Sequence, residues 1–348
     1  MIRFDDALPD LGIFAGADAL SQALGRRVRI ERIRYKPGTS IVAAVRDESG
    51  RPSWVLTHAD PAKATNHERA ALRAGAEPVR LGSATVTGPA WADRALVAGL
   101  SDVADADRRT DAPLRYNPLR RMVMATDSRV IKVSEGTQSV TAAQHLADHG
   151  VSVIVPSLIS PRATSAAWWG AGDLSEKPSA ALARRAGQEL AAMHRAPIGK
   201  LRTPRTSPAR VAERAARAIH ALVPELGDLA ARLAETAGTM AGGREVVVHG
   251  DFSPDQVLVG DGEVRLIDLD RVAIGAPEQD LGSFLAAGGD EELLGGYIDA
   301  GGVVDPEALR AWRAISHLQK AVEPFRSGRP NWTAAVVAAV DDALEAIA

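Results

Sequence analysis

The chain has no cysteine in 348 residues. That excludes a disulfide framework, a thiolate zinc site and a thiol nucleophile, and it fits a reducing cytoplasm. There is no apolar run of about 18 residues, the length a membrane-spanning helix needs. The first residues, MIRFDDALPD, carry acids where a secretion signal has a basic patch and an apolar stretch. A large excess of either charge is also missing: the net charge is −3. That argues against nucleic-acid and anionic-membrane partners. Lysine is scarce, with Lys36, Lys63, Lys132, Lys177, Lys200 and Lys320 among 41 basic residues, so each lysine is worth placing.

What is present suits a folded protein: 46% hydrophobic and 24% charged residues, on a length that calls for two or three structural units. Val28 to Arg34, Ser40 to Arg46 and Ser53 to His58 read as strands, joined by Tyr35-Lys36-Pro37-Gly38 and Glu48-Ser49-Gly50, and Pro61 to Gly75 reads as a helix. The pattern recurs. Arg121 to Thr126 and Val130 to Val133 read as strands, and Thr137 to His149 as a helix closed by Gly150. Both stretches carry Arg-Tyr-x-Pro, as Arg34-Tyr35-Lys36-Pro37 and Arg115-Tyr116-Asn117-Pro118, which reads as a degenerate internal repeat. Strands are expected near Val151 to Leu158 and Ser165 to Trp169, then a hinge at Gly170-Ala171-Gly172-Asp173. From Pro178 onward the chain reads as helical, with one β insert between Glu245 and Asp268.

The densest chemistry lies in that insert. An apolar strand delivers His249-Gly250-Asp251, Gln256 follows five residues after the aspartate, and Ile267 leads to Asp268-Leu269-Asp270. Phosphoryl transfer needs a carboxylate to orient a hydroxyl and take its proton, hard oxygens to hold Mg²⁺, and a cation on the phosphate tail. On that inventory Asp251 is the base, Gln256 and Asp268 are metal ligands, and Asp270 is an auxiliary.

The spacing His249-Gly250-Asp251-(x4)-Gln256 with Ile267-Asp268 resembles the catalytic and metal loops of the aminoglycoside phosphotransferase/choline kinase family. The resemblance implies an α/β (α+β) protein-kinase-like bilobal fold. Gln256 stands where the family usually has Asn, as in its maltokinase-like branch, and Ser253 stands where it often has His. Gly275 to Gly282 resembles the family segment whose aspartate, here Asp280, holds the catalytic loop. Leu190 to Pro197 resembles a family helix end. By the same resemblance Lys132, on a strand after a hairpin, is the phosphate-binding lysine, and the first stretch has Val55-Leu56-Thr57-His58 in its place. The loop Pro118-Leu119-Arg120-Arg121 has no glycine, so Arg120 and Arg121 are the expected phosphate contacts. The helix glutamate that pairs with the lysine is missing near Ser139, with Gln138 or Gln144 as substitutes.

The expected organisation is a cap over residues 1–108, a nucleotide-binding small lobe over 109–172 and a helical lobe over 173–348. The expected protein is a cytoplasmic small-molecule kinase, monomer or homodimer, using ATP or GTP and Mg²⁺. Its acceptor is a hydroxyl of a sugar, aminosugar or aminoglycoside-like compound. Two alternatives stay open: an antibiotic-inactivating enzyme for a nucleoside or peptide antibiotic, and a non-catalytic kinase-like binding module. Simpler readings also stand beside individual residues. Asp251 and Asp268 suit turn caps, and His249 suits a structural hydrogen bond. Lys132 suits a strand lysine with a buried stem, and Trp312, Phe325 and Trp332 suit helix packing.

Overall fold

The computed structural model describes residues 5–136, 140–199 and 204–348. They divide into two compact units: 5–136, 156–168 and 323–332 in the first, the remainder in the second.

The first unit is built on two antiparallel five-stranded sheets. After helix α1 (Ala17–Leu24), strands β1 (Val28–Lys36), β2 (Ser40–Asp47), β3 (Pro52–His58), β4 (Val79–Arg80) and β5 (Thr85–Pro89) form a sheet in the order β1-β2-β3-β5-β4. Helix α2 (Pro61–Arg73) sits between β3 and β4 in the chain. It starts where Asp60 accepts a hydrogen bond from the Ala62 N–H and Pro61 presets the first turn. After the short helix α3 (Val97–Ser101) come β6 (Arg115–Asn117), β7 (Arg121–Ala125), β8 (Arg129–Ser134), β9 (Ser157–Ser160) and β10 (Ala163–Ala167). Their order, β6-β7-β8-β10-β9, repeats that of the first sheet. Alternate residues of each sheet enter one shared core. Val42, Ala44, Trp54, Leu56 and Val86 come from the first sheet, and Met122, Met124, Ile131, Val133 and Ala163 from the second.

The repeat extends beyond strand order. Asp5-Asp6-Ala7-Leu8 precedes the first sheet and Asp93-Arg94-Ala95-Leu96 the second. Asp5 Oδ1 accepts the Ala7 N–H at 3.2 Å, and Asp93 Oδ1 accepts the Ala95 N–H at 2.9 Å. Asp5 Oδ2 accepts the Tyr35 hydroxyl at 2.7 Å and the Gly38 N–H at 2.8 Å. Asp93 Oδ2 accepts the Tyr116 hydroxyl at 2.8 Å and the Leu119 N–H at 2.7 Å. Gly38 and Leu119 both have positive φ, 65° and 57°. Register completes the equivalence: Tyr35 lies opposite Ile41 and Ile41 opposite Thr57, while Tyr116 lies opposite Met122 and Met122 opposite Val133. Lys132 and Leu56, each one residue earlier, therefore hold the same position. In the first sheet that position is sealed in the core, with Leu56 1% exposed. A strap over 323–332 closes this unit. It includes α11 (Glu323–Arg326, numbered after α4–α10 of the second unit), and its Glu323 accepts hydrogen bonds from Arg32 and Arg326. Its Phe325 ring sits between those of Tyr35 and Trp332.

The second unit is mainly helical: α4 (Thr141–Asp148), α5 (Ala180–Arg195), α6 (Pro208–Leu222), α7 (Gly227–Met240), α8 (Pro277–Ala286), α9 (Glu292–Asp299), α10 (Pro306–Lys320) and most of α12 (Trp332–Ile347). Two small sheets carry the β insert. One pairs β11 (Val246–Val248) with β14 (Ala273–Gly275), and the other is the hairpin of β12 (Val257–Gly260) and β13 (Glu263–Leu266). The hairpin turns at Asp261 and Gly262, both at positive φ as a two-residue turn requires. The core runs from Ala186, Leu190 and Met193 of α5 through Phe252, Val257 and Leu266 to Phe284 and Tyr297. Among the described residues, no helix is long and apolar enough to cross a membrane.

Candidate active site

Strand β11 is fully buried and leads into His249, whose side chain is also inaccessible. The chain must then turn sharply. Gly250 does so at φ 82°, and a Cβ there would stand 2.3 Å from the carbonyl oxygen of Arg271. Only glycine accommodates both the left-handed conformation and that approach. The turn is held from behind by Asp280, in the first turn of α8 and fully buried. Its carboxylate accepts the His249 N–H at 2.6 Å and the Gly250 N–H at 2.9 Å. His194 Nε2 lies 3.2 Å from the same carboxylate, and His194 Nδ1 lies 2.9 Å from the Tyr297 hydroxyl. The consistent assignment has Tyr297 donating to His194 and His194 donating to Asp280. Burial, with Glu278 adding repulsion, pushes the Tyr297 hydroxyl up to about 12, so it stays a donor.

His249 Nε2 lies 2.8 Å from the Ile267 carbonyl oxygen and donates to it. The ring thus ties the turn before Asp251 to the segment before Asp268. A second tie runs between the Ile267 N–H and the Gln256 carbonyl, at 3.0 Å. Asp251 and Gln256, from the segment between β11 and β12, and Asp268, from the segment after β13, therefore belong to two loops of one hydrogen-bonded group. Asp251 is half-exposed, with its carboxylate 3.1 Å from Arg271 Nη1. Gln256 is buried, and its side-chain NH₂ donates to Asp255 Oδ2 at 3.1 Å, which commits the nitrogen end of the amide and leaves the oxygen as the end that can serve a cation. Ser253 donates to the other oxygen of Asp255. Asp268 adopts the left-handed conformation at φ 60° that aspartate tolerates better than most residues. Asp270 is exposed on the following turn. A carboxylate and a carboxamide oxygen are hard donors, and Mg²⁺ binds through few protein ligands, so the donor set fits it.

Three further site residues named from sequence, Lys132, Arg120 and Arg121, lie in the first unit. Lys132 is on β8, opposite Val123 and Thr164. Arg120 is exposed on the β6–β7 turn. Its N–H donates to the Asn117 carbonyl at 3.1 Å, and its own carbonyl accepts the Glu135 N–H at 2.8 Å. Arg121 opens β7. Gln138 and Ser139 lie outside the described residues, and Gln144 donates to Asp148 on α4. Trp312, Phe325 and Trp332 are buried packing residues.

Sequence reasoning missed Arg271, Asp255 and His194 as site residues. Arg271 is only three residues past Asp268, but nothing in that spacing aims it at Asp251. Asp255 beside Gln256 was visible, and an acid next to an amide is a usable signal. His194 was visible only as part of a helix end.

The family model described as "Phosphotransferase enzyme family" matches residues 120–312. No curated protein sequence matches the chain. Among solved structures, the GDP and kanamycin complex of APH(2")-IIia is similar at 15% identity and a TM-score of 0.50, covering 67% of this chain and 92% of that one. A choline/ethanolamine kinase family protein from Mesorhizobium loti is similar at 16% identity and TM-score 0.49, covering 72% and 92%. A glucosamine kinase in complex with glucosamine, ADP and inorganic phosphate is similar at 17% identity and TM-score 0.46, covering 96% and 98%.

Proposed function

The chain belongs to the phosphotransferase enzyme family, and we propose that it transfers the γ-phosphoryl group of ATP or GTP to a hydroxyl of a sugar, aminosugar or aminoglycoside-like small molecule. The observation that carries this reading is the group formed by Asp251, Gln256 and Asp268, tied together through Ile267. Asp251 orients the acceptor hydroxyl and takes its proton as the oxygen attacks. Gln256 and Asp268 hold Mg²⁺, which when bound neutralises charge on the phosphates. Lys132, Arg120 and Arg121 hold the phosphate tail. Positioning and charge neutralisation supply most of the rate.

Within this reading the second sheet is the nucleotide lobe and the first a cap of the maltokinase-like kind. Leu56 in the position of Lys132 supports that division, since a sealed leucine offers a phosphate nothing. The test is thermal stabilisation by ATP and GTP with and without Mg²⁺, followed by turnover on a panel of sugars, aminosugars and aminoglycosides. Absence of stabilisation by either nucleotide contradicts the reading.

A further inference from the structure

The loop between β6 and β7 has no glycine, yet Leu119 within it sits at φ 57°. An L-residue with a branched side chain resists that conformation, so something outside the turn must hold it. The fully buried carboxylate of Asp93 is in place to do so. It takes the Leu119 N–H and the Tyr116 hydroxyl on one oxygen and the Ala95 N–H on the other. Burial raises the Asp93 carboxyl above its usual value, and the three donors that converge on it oppose that shift by favouring its charged form.

We propose that Asp93 and Tyr116 are positioning residues for nucleotide binding: a buried clamp from outside the hairpin shapes the phosphate loop in the role that glycines play elsewhere. This rests on the reading of 118–121 as that loop. The chain carries its own control. Asp5 and Tyr35 make the same bonds to the corresponding hairpin of the first sheet, where the left-handed residue is Gly38 and the Lys132 position is sealed by Leu56. A clamp that only stabilised hairpins changes Tm but leaves nucleotide Kd alone in both copies. A clamp that positions a phosphate loop affects nucleotide in one copy alone.

The experiment compares Tyr116→Phe and Asp93→Asn with Tyr35→Phe and Asp5→Asn in the full chain. It reads Tm, nucleotide Kd by calorimetry with ATP and GTP, the split between kcat and nucleotide KM, and amide exchange of the peptide spanning 116–121. Tyr116→Phe is the mild variant that keeps the test alive if Asp93→Asn does not fold. Expected are faster exchange at 116–121 and a nucleotide Kd about tenfold weaker in the Asp93 and Tyr116 variants, the loss of one bond to a charged group. The rise should appear in KM more than in kcat. The Asp5 and Tyr35 variants should lower Tm while leaving nucleotide Kd within about twofold. Unchanged Kd in a folded Tyr116→Phe protein, or equal Kd losses from both clamps, overturns the proposal. Wild-type protein that binds no nucleotide overturns the parent reading as well, and that outcome is distinct because it needs no variant.

Discussion

Arg271 Nη1 lies 3.1 Å from the carboxylate of Asp251, while the backbone carbonyl of the same arginine closes over Gly250. One residue thus contacts Asp251, the proposed base, through its side chain and confines the turn that presents it through its main chain. The side-chain pair is largely solvent-exposed, so its share of stability is small, under about 1 kcal/mol. Its effect on aim is separable. Arg271→Met should leave Tm nearly unchanged and lower kcat by about tenfold, equivalent to about 1.4 kcal/mol of barrier. Steady-state kinetics with a turned-over acceptor checks this.

Asp280 is the opposite case, buried and bonded to the backbone N–H groups of His249 and Gly250 and to His194. Asp280→Ala leaves those donors without a partner and should cost about 3 kcal/mol or more of stability. Gly250→Ala should be similarly damaging, because its Cβ meets the Arg271 carbonyl and its φ is positive. Denaturant unfolding measures both.

The two sheets make a paired prediction about lysines. Lys132→Ala should raise nucleotide KM by about tenfold or more, since a charge-assisted contact to phosphate is lost. Lys36→Ala and Lys63→Ala should leave it unchanged. Lys36 ends β1 at its turn and Lys63 lies in the first turn of α2, both exposed. Sensitivity at Lys36 or Lys63 with silence at Lys132 would reverse the lobe assignment.

The loops of the candidate site were legible as a cluster in the sequence because their residues lie close along the chain: His249 to Gln256 form one connection, and Ile267-Asp268 follows a short hairpin. The strands that build β1 to β3 and β7 to β8 were legible from apolar runs broken by turn residues. Strand β4, two residues long, and the short helix α3 carry too little periodicity to be seen. The repeat was visible as Arg-Tyr-x-Pro, but the matching Asp-x-Ala-Leu lies 30 residues before Tyr35 and more than 20 before Tyr116. Its meaning depends on a hydrogen bond closed by the fold, as does the meeting of Arg271 with Asp251.

His67 should make the chain acid-sensitive. It is buried on α2 beside the Trp54 ring, and burial, with Arg94 and His58 adding repulsion, pushes it down to about 4. The unfolded chain takes up this proton near pH 6.5, whereas the folded chain resists until about pH 4. Its contribution is therefore fully present above pH 6.5 and is lost as pH falls toward 4, about 3 kcal/mol in all. His67→Leu should flatten the stability profile across that window, which urea unfolding at a series of pH values reads directly.

The central claim is that Asp251 serves as the base in phosphoryl transfer to a small-molecule hydroxyl. The most direct measurement is nucleotide-dependent phosphorylation of an acceptor found in the panel, comparing wild type with Asp251→Asn at matched folding and matched nucleotide affinity. The account predicts that the variant folds, binds nucleotide normally and turns over about a hundredfold or more slowly, the range a positioned base supplies. Near-full turnover by a folded Asp251→Asn protein contradicts it.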